Sequence, residues 1–163
     1  MLRIMGILAV LFLFAACTAT PTDPSGQNVF RIDAADTNRI QNRHINAVNA
    51  IRQARGLQPV RFSSQLTSAA RTHARDMAGQ SRPWHFGSDG STPIDRVVHT
   101  GYAGRMLAEN ISETFENDIR TLEAWLGDPL TRQGMLNPDA RHIGFAWEQE
   151  PNGKIWWVQV FGS

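Results

Sequence analysis

The chain has 163 residues, a formal charge of +1 and 42% hydrophobic residues. With no Lys/Arg cluster interleaved with aromatics, this balance argues against nucleic acid as a partner. Cys17 is the single cysteine, which excludes a disulfide within the chain.

Arg3 precedes an apolar run from Ile4 to Ala16 that is too short to span a bilayer and has the layout of a secretory signal. Residues 1–16 are therefore expected to be a signal peptide. The stretch "LFAAC" resembles a bacterial lipobox, with Phe14 where Leu is usual, so Cys17 is expected to carry lipid and attach the protein to a membrane. An ordinary cleaved signal is the alternative. Residues 17–35 are rich in Thr, Pro, Ser and Gly at their start and are expected to form a flexible tether. Together these features predict an exported lipoprotein facing the periplasm or cell exterior. Thr18 after the cysteine, by resemblance to Gram-negative lipoproteins, would favour the outer membrane.

Residues 36–163 fit one compact domain. From Asp36, the positions Ile40, His44, Ala47, Val48 and Ile51 form one helical stripe, with Asp36 or Thr37 as N-cap and Gly56 as the stop. A second helix begins at Ser63 or Ser64 and carries Leu66, Ala70, His73, Ala74 and Met77 on one face until Gly79. His44 and His73 read as hydrogen-bonded core residues rather than ligands. After the loop "RPWHFGSDGS", Ser91 or Thr92 caps a short helix with Pro93 in its first turn, closed by Gly101. "MLAENIS" follows, and a third long helix is expected from about Ser112, with Phe115, Ile119, Leu122 and Trp125 or Leu126 inward, ending at "GDP". The C-terminal stretch alternates: Ile143, Phe145 and Trp147, a turn at Asn152-Gly153, then Ile155, Trp157, Gln159 and Phe161. Trp156 and Trp157 adjoin, so one is expected to point inward and one outward. This pattern predicts an α+β layer fold.

In order, "LTSAARTHARDMA", His85 before a glycine turn, "PIDRVVHTGY", "AENIS", "EAWLGDP", "MLNPDARHIGFAW" and "WWVQVFG" resemble the CAP superfamily, or SCP-like extracellular domain, in its short bacterial form. The resemblance implies an α-β-α sandwich, with helices on both sides of a small antiparallel sheet and a cleft holding a His/Glu cluster. By that resemblance His85 is the first cleft histidine and Glu109 the glutamate of a Gly-Glu-Asn motif, with Ala108 replacing the glycine. Asp128 falls at a position that carries Ser or Glu in other members, and Thr131 stands where a second histidine belongs. Tyr102 and Gln159 line the cleft by resemblance, with core packing as the alternative.

His85, Glu109 and Asp128 would offer one imidazole and two carboxylates to a divalent cation such as zinc, and Thr131 is a poor replacement for the missing imidazole. The same His/Glu pair also fits acid/base chemistry, but the sequence supplies neither a serine in a glycine elbow nor a usable cysteine. The expected function is non-catalytic binding in the cleft of a small apolar or lipid-like ligand, a cation or a protein partner. Alternatives are a metal-assisted or Glu/His hydrolase of peptide or cell-wall material, and a structural role in which His85 and Glu109 pin two loops to the sheet.

Overall fold

The computed structural model describes residues 29–114 and 116–163. The expected signal peptide, Cys17, most of the expected tether and Phe115 lie outside the described residues. A 3-10 turn at Ala34–Asp36 leads into α1 (Thr37–Gln53), followed by β1 (Arg61–Phe62), α2 (Ser64–Gln80) and α3 (Pro93–His99). Next come β2 (Met106–Thr114), α4 (Asp118–Gly127), α5 (Pro129–Met135), β3 (His142–Gln149) and β4 (Ile155–Gly162).

The sheet order is β1-β3-β4-β2. Three strands are antiparallel, but the two-residue β1 pairs parallel with β3, so the sheet is mixed rather than purely antiparallel. β4 is central, and helices cover both its faces. Ile155, Trp157 and Phe161 pack into one core with Ile40, Val48, Leu122 and Met135 of α1, α4 and α5. Trp156, Val158 and Val160 pack into the other with Leu66, Ala70 and Met77 of α2 and Val97 of α3. Period-two alternation therefore sends Trp156 and Trp157 to opposite faces as expected, yet both are fully buried because neither face meets solvent. This corrects the expected outward tryptophan.

Local signals explain most boundaries. Ser63 caps α2 through Leu66 N, and the helix closes at Ser81 with φ +51°. Thr92 and Asp95 form a reciprocal capping box on α3. Gly153, at φ +100°, makes the β3–β4 turn. Gly144 permits a close approach: a β-carbon there would collide with the backbone of Leu66 and Thr67, so α2 lies directly on β3. Gly144→Ala is expected to cost about 1–3 kcal/mol in urea unfolding, and an unchanged midpoint would refute that contact.

Two expectations of the chain order fail. The third long helix does not start near Ser112, because β2 extends to Thr114 and pairs with β4 through Ile155. Asn117 then caps a shorter α4, accepting from the amides of Ile119 and Arg120. The flexible tether expected up to residue 35 also does not reach that far. Val29 is buried, Phe30 and Ile32 pack on the core, and Gln149 bonds both Phe30 O and the Ile32 amide, at 2.8 and 3.0 Å.

Candidate functional site in the α2/α3 cleft

β2 lies at the sheet edge, and consecutive residues on it point to opposite faces. Glu109 pairs in register with Val160 and faces α2 and α3; Asn110 pairs with Gln159 and faces α5. This parity organises the site.

On the α2/α3 face the Glu109 side chain is only 3% exposed, and Arg96 of α3 holds both its oxygens, at 3.0 and 2.9 Å. His85 Nδ1 donates to Glu109 Oε1 at 2.9 Å, while its ring remains half exposed. The same Arg96 Nη2 donates to His85 O at 3.0 Å, and Nη1 to Ser91 O at 3.2 Å. One guanidinium thus joins α3, the His85 loop and β2. His73 forms the floor: its Nε2 donates to Trp84 O at 2.9 Å and lies 3.8 Å from Glu109 Oε1. Burial holds His73 below the usual histidine range, against the opposing pull of Glu109. The expected reading of His73 as a hydrogen-bonded core residue agrees with this geometry, and its place beneath Glu109 makes it part of the site as well.

A cavity of about 400 Å³ adjoins the cluster and touches it through Arg96. Hydroxyls of Ser68, Thr72, Ser88, Ser91 and Thr100 line it, with Asp76, Asp89 and His99. Asp76 holds the loop by accepting from the Ser88 amide, and Asp89 accepts from the Ser91 amide, at 2.8 and 2.9 Å. Asp89 with Gly90 is therefore turn chemistry.

Asp128 and Thr131 do not join this cluster. Asp128 is the N-cap of α5, its Oδ1 accepting from Leu130 N at 2.7 Å, and Thr131 Oγ1 donates to Trp125 O at 2.6 Å. Asn110 Nδ2 donates to Thr131 O, which puts α5 on the sheet face opposite Glu109. The expected His85, Glu109, Asp128 ligand set is therefore not assembled, and the described residues contain no group of three or more His, Cys, Asp or Glu placed to hold a metal. Asp128→Ala is expected to cost about 1 kcal/mol as a lost helix cap while leaving ligand binding at the cleft intact. A thermal melt together with a binding titration checks both halves of that statement.

Gln159 and Tyr102 are also elsewhere. Gln159 is fully buried on the α1/α4 face, and Tyr102 bonds His142 Nδ1 and Ser163 O, at 2.8 and 2.9 Å. His44 does stand in the core as expected, but it stacks on Phe145, with centroids 3.6 Å apart, and neither ring nitrogen has a hydrogen-bond partner among the described residues. Burial pushes its pKa down to about 3.

Sequence reasoning missed Arg96. The available signal was an arginine three residues after the N1 proline of a helix, on its inward side with Val97.

The model of the cysteine-rich secretory protein family, CAP, matches residues 45–161. The uncharacterized protein YkwD of Bacillus subtilis is 28% identical over 119 residues, 73% of this chain but 46% of its own length. The chain thus spans about half of that curated relative. Among solved structures, an outer surface protein of Borrelia burgdorferi superposes with a TM-score of 0.73 at 20% identity, covering 83% of this chain and 98% of its own. An extracellular SCP-domain protein of Bacillus anthracis gives 0.68 at 20% identity, covering 82% and 44%. Both likenesses speak for the fold. With the family pattern running through most of the folded part, from α1 to the last strand, the chain belongs to the CAP, cysteine-rich secretory protein, family.

Proposed function

We propose that the protein is exported, anchored to the cell envelope by lipid on Cys17, and binds a small polar ligand in the α2/α3 cleft without turning it over. The observation that carries this reading is the engagement of Glu109. Arg96 occupies both its oxygens inside a buried pocket, and His85 takes a further lone pair. A carboxylate so paired serves to position groups rather than to shuttle protons to a substrate.

The adjoining cavity is of ligand size, and the hydroxyl-bearing residues and carboxylates along it offer hydrogen bonds that suit a sugar- or peptide-like fragment. Family membership supports export, and the run Ile4–Ala16 before Cys17 supports lipid attachment. Metabolic labelling with a clickable fatty acid tests the anchor: the wild type should label and Cys17→Ser should not. Equal labelling of both would refute it.

A hydrolase is the second reading, and one feature favours it. The Glu109–His85 pair leaves His85 Nε2 without a partner among the described residues, in a half-exposed ring, the layout of a carboxylate-oriented general base. His85→Ala separates the two. It leaves the Arg96–Glu109 pair in place, so it should weaken ligand retention in a binder and abolish product formation in a hydrolase.

A further inference from the structure

A second site lies where the α1–β1 connection meets the start of β3, and it shares no lining residue with the α2/α3 cleft. We propose that this corner binds the phosphate group of a monoester or diester. A cavity of about 370 Å³ is lined there by Gln58, Pro59, Arg61, Arg141 and His142. This is the size of a phosphate with a short substituent, not of a whole lipid.

The backbone fixes the two arginines next to each other. Arg61 N donates to Arg141 O at 2.8 Å, and Arg61 stands in register with His142 across the parallel β1–β3 pair. Neither guanidinium has a carboxylate within 4.0 Å among the described residues. Arg141 spends Nη1 on Pro138 O and Ala140 O, at 2.7 and 3.0 Å, while its Nε and Nη2 make no hydrogen bond among the described residues. Asp139, the acidic residue nearest in sequence, is exposed and pairs with neither arginine. Two forked cations lining one cavity, neither paired with a carboxylate among the described residues, are the donor type that recognises a phosphate oxyanion.

One neighbour strengthens the field. Arg52 is wholly buried beneath this corner, and only carbonyls hold it, those of Gln58, Met135, Asn137 and Ala140. Its charge is close enough to Arg141 that the two oppose each other. His142 lines the same cavity, and its Nδ1 lies 2.8 Å from the Tyr102 hydroxyl, which in turn donates to Ser163 O.

The test uses the full chain carrying Cys17→Ser, so that no lipid holds it to a bilayer. Inorganic phosphate and glycerol 3-phosphate are titrated while backbone amide shifts are followed, with acetate at equal ionic strength as the control. The expected result is saturating shifts at Arg61, Arg141 and His142 that acetate does not reproduce. Binding should weaken by at least roughly tenfold in an Arg61→Gln, Arg141→Gln double variant. Both side chains are exposed, so the double variant should melt like its parent; Arg75→Gln, on a different face, should bind like it.

Vesicles of phosphatidylglycerol against phosphatidylcholine separate the sources of the phosphate. Sedimentation with phosphatidylglycerol that the double variant loses supports a lipid headgroup. Saturation by glycerol 3-phosphate with no vesicle binding supports a soluble ester. Shifts spread evenly over all arginines, or a double variant that binds as its parent does, would overturn the proposal.

Discussion

Arg96→Met is expected to lower the stability of the domain by about 3–5 kcal/mol, measured by urea unfolding at neutral pH. The reason is the state of Glu109 after the change. Its carboxylate is 3% exposed, and Arg96 is its only arginine partner among the described residues, so the substitution leaves a buried charge with the His85 hydrogen bond alone. Arg96 also ties His85 O and Ser91 O to α3, and both carbonyls would lose that donor. A double variant, Arg96→Met with Glu109→Met, should be more stable than Arg96→Met alone, because the orphaned charge is gone. A loss below about 1 kcal/mol in the single variant would mean that the carboxylate finds water or another cation.

The second large effect is acid sensitivity. A histidine buried in its neutral form takes up a proton more readily in the unfolded chain than in the folded one. Its contribution is therefore complete above the unfolded pKa of about 6.5 and is lost as pH falls towards the folded value. For His44 that window runs from the ordinary histidine value of 6.5 down to about 3. The slope is about 1.4 kcal/mol per pH unit for each such group. His73, lowered in the same direction by burial, adds to the upper part of the window. Between about pH 6.5 and 4.5 the unfolding free energy should fall by roughly 2–5 kcal/mol. His44→Phe keeps a ring against Phe145 and should remove a large share of the slope. A stability that is flat over that range would contradict the burial of both rings as neutral groups.

Much of the architecture is legible in the sequence because it rests on local patterns. The stripe Ile40, His44, Val48 and its glycine stop identify α1, and the alternation from Ile143 to Phe161 around Asn152-Gly153 identifies the terminal hairpin. The His85–Glu109 pair is legible only through the ordered resemblance, since residues 24 apart carry no local sign of contact.

What stays hidden depends on tertiary context. Arg52 and Arg96 look like ordinary surface arginines in sequence, yet both are buried, because carbonyls around one and a carboxylate below the other replace water. Ser112–Thr114 read as the start of a helix, but pairing along the edge of β4 holds them extended. The misplacement of Asp128 and Thr131 has a simpler origin. Glu109 and Asn110 are consecutive on a strand, so the segment that meets Asn110 is barred from meeting Glu109. That rule is available from the sequence; the missing piece is which of the two residues faces α5.

The Arg96–Glu109–His85 cluster as a binding site without turnover is tested most directly by incubating the protein with soluble disaccharide-peptide fragments of bacterial cell wall. Equilibrium dialysis and mass spectrometry are applied to the same sample. The expected result is that a fragment is retained by the wild type, less so by His85→Ala, and is recovered with its mass unchanged. Fragments recovered as smaller products, with the conversion lost in His85→Ala, would contradict binding without turnover.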